Sequence, residues 1–239
     1  MEKIFSIRGA VFVLMGLIYS GCSSTGFNRG ELKDQVGIAK PSYDEKEIKD
    51  AYNKKPNLPK PFKLAIYFKA PIENGNRQSD WRWTEQDKLN IEEIAKDLKA
   101  QGLISDVFPI TGSVVKDESL KSLRLVAAMH QADAILIVGG AGQIDRYINH
   151  LGWSYIFLVP AFFIPGSIAD TLFITSASLW DVKNEFLYVT AEAEAVTTDN
   201  YIAAFGKSNK ERLEEAKAQS ISKLKDEIKK QIQGTKISY

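Results

Sequence analysis

Cysteine occurs once, at Cys22, and histidine twice, at His130 and His150. A single cysteine excludes an intrachain disulfide, so stability must come from packing. Neither histidine has a second Cys or His at zinc-binding spacing, so no metal site is expected. No cofactor is expected either. The chain lacks the GxSxG turn of a serine hydrolase. Charge of one sign is also lacking: 31 Lys and Arg against 30 Asp and Glu give a net charge of +1. That balance excludes the basic footprint of a nucleic-acid binder. Residues 147–169 contain no Asp, Glu, Lys or Arg at all.

Two patterns invite a catalytic reading, and a simpler reading stands beside each. VGGAGQ, residues 138–143, offers Gly139, Gly140 and Gly142 after a strand. Asp145 stands where GxGxxG needs its third glycine, and no GK[ST] follows, so a tight turn is expected rather than a phosphate cradle. Glu192 and Glu194 could serve as an acid/base pair. Alternation places them on one face of a strand and Ala191, Ala193 and Ala195 on the other, as a solvent-facing surface would.

What is present begins at the N-terminus. Lys3 and Arg8 precede an apolar run over residues 9–19, and Ser20-Gly21-Cys22 follows. The run is too short for a bilayer core of about 30 Å, which needs roughly 20 residues. This is the grammar of a secretory signal. The cysteine after small residues points to a bacterial lipoprotein, cut before Cys22 and acylated on its sulfur and its new amine. Tyr19 stands where the usual motif has leucine. Two or three acyl chains give stable anchoring where one does not. Ser23 follows the cysteine where an aspartate would favour inner-membrane retention, so an outer-membrane protein facing the periplasm is expected. An ordinary secretory signal is the alternative.

The division expected is a signal peptide over 1–21, a lipidated N-terminus and tether over 22–61, and a single α/β domain over 62–239. Residues 23–55 are not expected to join the core. Strands are predicted over 63–70, 103–110 and 132–140. Helices are predicted from Thr84 to Gly102 and over 117–131, with His130 near a helix end and His150 in a loop. A hairpin over 171–196 turns at DVKNE. A last amphipathic helix over 207–233 carries Leu213, Ala216, Ile221, Leu224, Ile228 and Ile232 on one stripe. The fold class is therefore α/β (α+β): a mixed sheet with packed helices, a C-terminal β-hairpin and a long amphipathic helix.

The segments WTEQDKLNIEEIAKDL, ADAILIVGG, LVPAFFIPG and SASLWDVKNEFLYVTAEAEA together resemble the bacterial rhombotarget lipoprotein family and its uncharacterised relatives. The likeness covers about residues 62–230. It implies a small α/β domain with helices on a mixed sheet, and it brings no catalytic residues. The family is associated with an intramembrane sorting protease. The C-terminal sequence QIQGTKISY lacks the tail of a direct substrate, so direct processing is not expected.

The functional expectation is a membrane-anchored envelope lipoprotein that binds, assembles or regulates, without catalysis. The alternative is a membrane-tethered hydrolase with an unrecognised site. The expected partners are the lipid bilayer, through acylated Cys22, and an envelope protein, with no nucleic acid. The candidate contact surface is the apolar stretch with Phe157, Phe162, Phe163 and Ile164. Pro160 and Pro165 keep that stretch out of a central strand. A membrane span, a buried segment and an exposed patch all remain open for it at this point.

Overall fold

The computed structural model describes residues 24–37, 44–72, 79–157 and 162–234. Their core is a five-stranded mixed sheet in the order β2-β1-β3-β4-β5. The strands are β1 (Phe62–Phe68), β2 (Ile104–Ile110), β3 (Ala134–Ile148), β4 (Ser167–Asp181) and β5 (Leu187–Tyr201). β1 pairs in parallel with β2 and β3, while β3, β4 and β5 pair antiparallel. Among the described residues, five α-helices accompany the sheet: α1 (Arg29–Val36), α2 (Glu45–Asn53), α3 (Glu85–Ala100), α4 (Leu120–Met129) and α5 (Asn209–Gly234). The fold class expected from the sequence is the one observed.

The crossovers explain the layering. The chain leaves β1 through α3 to reach β2, then returns through α4 to β3 on the far side of β1. Helices on opposite faces follow from that reversal. On one face, Ile91, Ile94 and Ala95 of α3 and Ile221, Leu224 and Ile228 of α5 pack on Leu64, Ile66, Leu136 and Val138. On the other, Leu123, Val126 and Ala127 of α4 pack on Ala65, Tyr67, Ile135 and Ile137. Strand alternation divides consecutive residues between the two cores.

Local signals set the helix ends. The Thr84 hydroxyl accepts from the Asp87 amide, and the Asp87 carboxylate accepts from the Thr84 amide at 2.8 Å, a closed capping box. Gly102, at φ +71°, follows the last turn of α3. His130 is the C-cap of α4, and His150 lies in a turn. The β4–β5 turn is built on Asp181, whose carboxylate accepts from the Lys183 and Asn184 amides and from the Tyr188 hydroxyl.

Two expectations are corrected. The glycines of 138–143 make no turn: β3 runs unbroken through them for 15 residues. They are there for close approach. A Cβ on Gly139 would lie 2.6 Å from the Val36 carbonyl oxygen, and one on Gly142 would lie 2.6 Å from Leu213 and 2.8 Å from Phe173. Gly140 faces Trp81, Trp83 and Phe173 at 3.0–3.1 Å. Small residues in a strand can mark contact with a neighbour as well as a bend.

The second correction concerns the tether. Part of it packs on the sheet. α1 buries Leu32 and Val36 against Ala141, Leu172 and Ile174, and Leu58 joins the core that α3 and α5 share. α2, by contrast, buries no residue. The short polar stretch NRGELKDQV hides its two apolar positions among charges, which is why it reads as tether.

Candidate functional site: the far end of the long hairpin

β1 is seven residues long and β3, β4 and β5 are each fifteen, so three strands continue well past the parallel part of the sheet. This extension ends in the connection between Ile148 and Ser167. Asn149 and Leu151 shape its start, Leu151 donating its amide to the Asn149 side chain at 2.8 Å. The Tyr155 hydroxyl then ties the two limbs together. It donates to the Ile164 carbonyl at 2.8 Å and accepts from the Gly166 amide at 2.7 Å. Gly166 has to be small here, because a Cβ would meet the Tyr155 ring at 2.8 Å.

Among the described residues of this connection, several apolar side chains point outward. Phe162 is 54% exposed, Phe163 74% and Ile156 81%. Ile164 is half-buried. The stretch is thus neither a regular strand nor wholly core. Phe157 closes a short 3-10 helix, and its side chain lies outside the described residues, as do residues 158–161 and Cys22. No helix among the described residues is long and apolar enough to cross a membrane.

Beside this end, the N-terminal segment is fastened to β3. The Asp145 carboxylate is buried and accepts from three donors. The Ser24 hydroxyl and the Gly26 amide, at 3.0 Å, reach one oxygen, and the Thr25 hydroxyl reaches the other at 2.8 Å. The Ser24 hydroxyl, foremost, and the Thr25 hydroxyl hold the carboxyl below the usual aspartate range, against the opposing effect of burial. Asp170 stands directly opposite on β4 and receives the Tyr147 and Thr198 hydroxyls at 2.9 and 2.6 Å. Gly26, at φ +76°, turns the chain into α1.

From there α1 runs back along the extension. Asn28 donates its amide to the Gln143 side chain, Arg29 pairs with Glu194 at 3.1 Å, and Lys33 pairs with Glu192 at 2.5 Å. The two glutamates share an exposed face, as expected, and they also serve as contacts for α1. Both pairs are nearly half exposed, and such pairs add little to stability. Burying Leu32 and Val36 is worth about 1.5–3 kcal/mol each. Packing therefore holds α1, and the charges fix its register.

The other charged groups that catch the eye are structural. Lys217 is fully buried on α5, with Asp87 and Glu214 each at 2.7 Å and the Arg82 carbonyl at 2.5 Å. Arg212 is buried against Tyr201 and bonds Asp199 at 3.0 and 3.2 Å. Sequence reading missed both, since each looks like one more charge on a charged helix. It also passed over three Ser-x-x-Lys spacings, at Ser113–Lys116, Ser220–Lys223 and Ser222–Lys225. The second is committed elsewhere: Ser220 is buried against Thr175, and Lys223 bonds the Glu194 carbonyl. Asp133, whose partner the sequence does not reveal, accepts from the Lys63 amide and pairs with Lys183 at 3.6 Å.

In an α/β sheet, the usual ligand crevice lies outside the C-terminal ends of the parallel strands. Here an open cleft there is lined by Phe68, Trp83, Pro109, Glu85, Lys88 and Glu92. Glu85 and Lys88 pair with each other at 3.4 Å and are solvent-accessible. The crevice between β1 and β3 is crossed by Lys69, which donates to the Gly37 carbonyl while its own carbonyl accepts from the Trp83 indole. No group of three or more metal-ligating side chains occurs among the described residues.

No protein-family model matches the chain, and no curated protein matches it. Solved structures offer distant likenesses. A minor lipoprotein from Acinetobacter baumannii is 11% identical, with a TM-score of 0.36, over 74% of this chain and 92% of that one. A lipoprotein from Neisseria meningitidis is 14% identical, with a TM-score of 0.33, over 73% of this chain and 100% of that one. A protein from Xanthomonas campestris is 10% identical, with a TM-score of 0.33, over 77% and 93%. Likeness this remote leaves function to be argued from the chain's own residues.

Proposed function

We propose that this chain is a bacterial envelope lipoprotein, acylated at Cys22, whose domain binds or helps assemble other envelope components. The resemblance to the rhombotarget lipoproteins agrees with that reading. The observation that carries it is the pairing of two features at one end of the molecule. A segment beginning two residues after Cys22 is clamped to β3, and an uncharged connection beside it exposes Ile156, Phe162 and Phe163. Exposed aromatic side chains at the end of a rigid hairpin suit contact, whereas a hydrolase would need convergent ionisable groups facing a pocket. Glu85 and Lys88 in the open cleft neutralise each other, and Lys217 is sealed from it.

Labelling cells with a palmitate analogue tests the anchor. The wild-type chain should incorporate label and sediment with outer membranes, and Cys22→Ala should do neither. A Cys22→Ala chain that still resists carbonate extraction would refute lipid anchoring.

A further inference from the structure

The clamp on Asp145 has a geometric consequence for the lipid anchor. Cys22 precedes Ser24 by two residues, at most about 7 Å of chain. Asp145 precedes the end of β3 by three residues, about 10 Å along a strand. The anchoring position is therefore tied to the end of the hairpin that exposes Ile156, Phe162 and Phe163. The opposite end is distant: β4 runs 15 residues from Ser167 to Asp181, roughly 45 Å. There α2 is attached to the β4–β5 turn through Lys54 with Glu185 and through the Lys55 carbonyl with Asn184.

We propose that Ile156, Phe162 and Phe163 rest in the surface of the same bilayer that holds Cys22, with β4 directed away from it. The inference rests on the lipidation proposed above. Three observations choose the bilayer as the occupant. The clamp holds the anchor beside the patch. The whole connection, from 147 to 169, is free of Asp, Glu, Lys and Arg. Ile156, Phe162 and Phe163, its most exposed apolar side chains, are aromatic and branched, the kind that settle at the headgroup boundary. Without the clamp, a lipid on a loose tail would leave the domain free to tumble. With it, the sheet stands on the membrane and presents α2 and the β4–β5 turn outward.

The test uses the mature lipidated chain in vesicles of phosphatidylethanolamine and phosphatidylglycerol. Phe163→Cys carries an environment-sensitive fluorophore, and Tyr52→Cys carries the same fluorophore on α2, where Tyr52 is 90% exposed. Nitroxide lipids should quench position 163 by about two-fold or more, the depth expected of an interfacial side chain, and leave position 52 unchanged. Asp145→Ala in the Phe163→Cys background should reduce the quenching while the chain still floats with vesicles. Mass spectrometry of the N-terminal peptide separates two failures. An unmodified Cys22 overturns the lipidation reading and this inference with it. A lipidated Cys22 with equal quenching at 163 and 52 overturns the placement alone. So does crosslinking between copies through position 163 without quenching, which would make a second copy the occupant.

Discussion

The two halves of the sheet are held by different means. Around β1, β2 and the first half of β3, three helices cover both faces with aliphatic side chains. α3 and α4 are joined directly to the strands they cover. In the extension, among the described residues, one end of α5, the eight-residue α1 and the Trp81 and Trp83 rings cover the strands. Here much of the fastening comes from the N-terminal segment, more than a hundred residues away in sequence, which adds a set of polar contacts to the buried Leu32 and Val36. The body is thus built to persist, and the extension to be fastened. Non-local, polar and partly exposed contacts open at lower free energy than a shared apolar core. That is a suitable property for the part of a protein that meets its surroundings.

The comparison is broken most severely by attacking the body. Lys217 has no exposed surface and satisfies two carboxylates and a carbonyl. Lys217→Ala leaves Asp87 buried and unpaired and disturbs the cap of α3. Such a loss typically costs about 3–5 kcal/mol. Guanidinium denaturation should show a single transition moved to markedly lower concentration. A loss under about 1 kcal/mol would class Lys217 with ordinary surface ion pairs.

Leu32→Ala tests the extension instead. A buried leucine truncated to alanine costs about 2–5 kcal/mol, and with α1 docked locally we expect the low end. The signature should be regional. Amide exchange should quicken in α1 and at Ser24–Gly26, while the amides of Ile66 and Leu136 keep their wild-type protection. Uniform acceleration would show that α1 and the body unfold as one unit. Gly139→Ala should act likewise, because its new Cβ would press on the Val36 carbonyl.

A smaller effect is expected from acid. The carboxyl of Asp145 is depressed when docked, first by the Ser24 hydroxyl. A depressed carboxyl contributes stability that is complete above the undocked aspartate value of about 4 and lost as pH falls through the lower docked value. Asp170 across the strand pair, Tyr147, and the Arg29–Glu194 and Lys33–Glu192 pairs face the same surface. The comparison must therefore be with Asp145→Asn. The Gly26 amide resonance of the wild type should hold constant above pH 5 and move below pH 4, and in the variant that movement should be missing. An identical acid response in both would assign it to the glutamates.

Much of the body was legible because its signals are local. Thr84 and Asp87 mark a helix start within four residues, alternation gives the faces of β4 and β5, and the charge-free stretch with two prolines gives an irregular connection. The extension was not legible, because its determinants are pairs far apart. Nothing in Ser24-Thr25-Gly26 names Asp145, and nothing in Arg29 or Lys33 names Glu194 or Glu192. Gly139, Gly140 and Gly142 misled for the same reason. Their smallness answers Val36, Leu213, Phe173 and two tryptophans, none of which is a sequence neighbour. Lys217 and Arg212 were hidden because a buried cation is visible only when its partners are.

The smallest effect on stability should come from the end of the hairpin, where contact is proposed. Phe162 and Phe163 are mostly exposed, so replacing both with aspartate removes little packing and adds two solvated charges. Surface changes away from special features stay within about 0.5 kcal/mol. Phe162→Asp with Phe163→Asp should therefore keep the circular dichroism spectrum and the cooperative melt of the lipid-free domain. Its consequence should appear only at an interface, where a charge placed in the headgroup boundary opposes insertion. If the double variant melts early or loses cooperativity, those rings belong to the core, and the extension is packed like the body after all. If it melts as the wild type and also binds vesicles as the wild type, the exposed rings contribute to neither. In that case the difference between the two halves would lie in how the N-terminal segment is fastened, and not in what the tip touches.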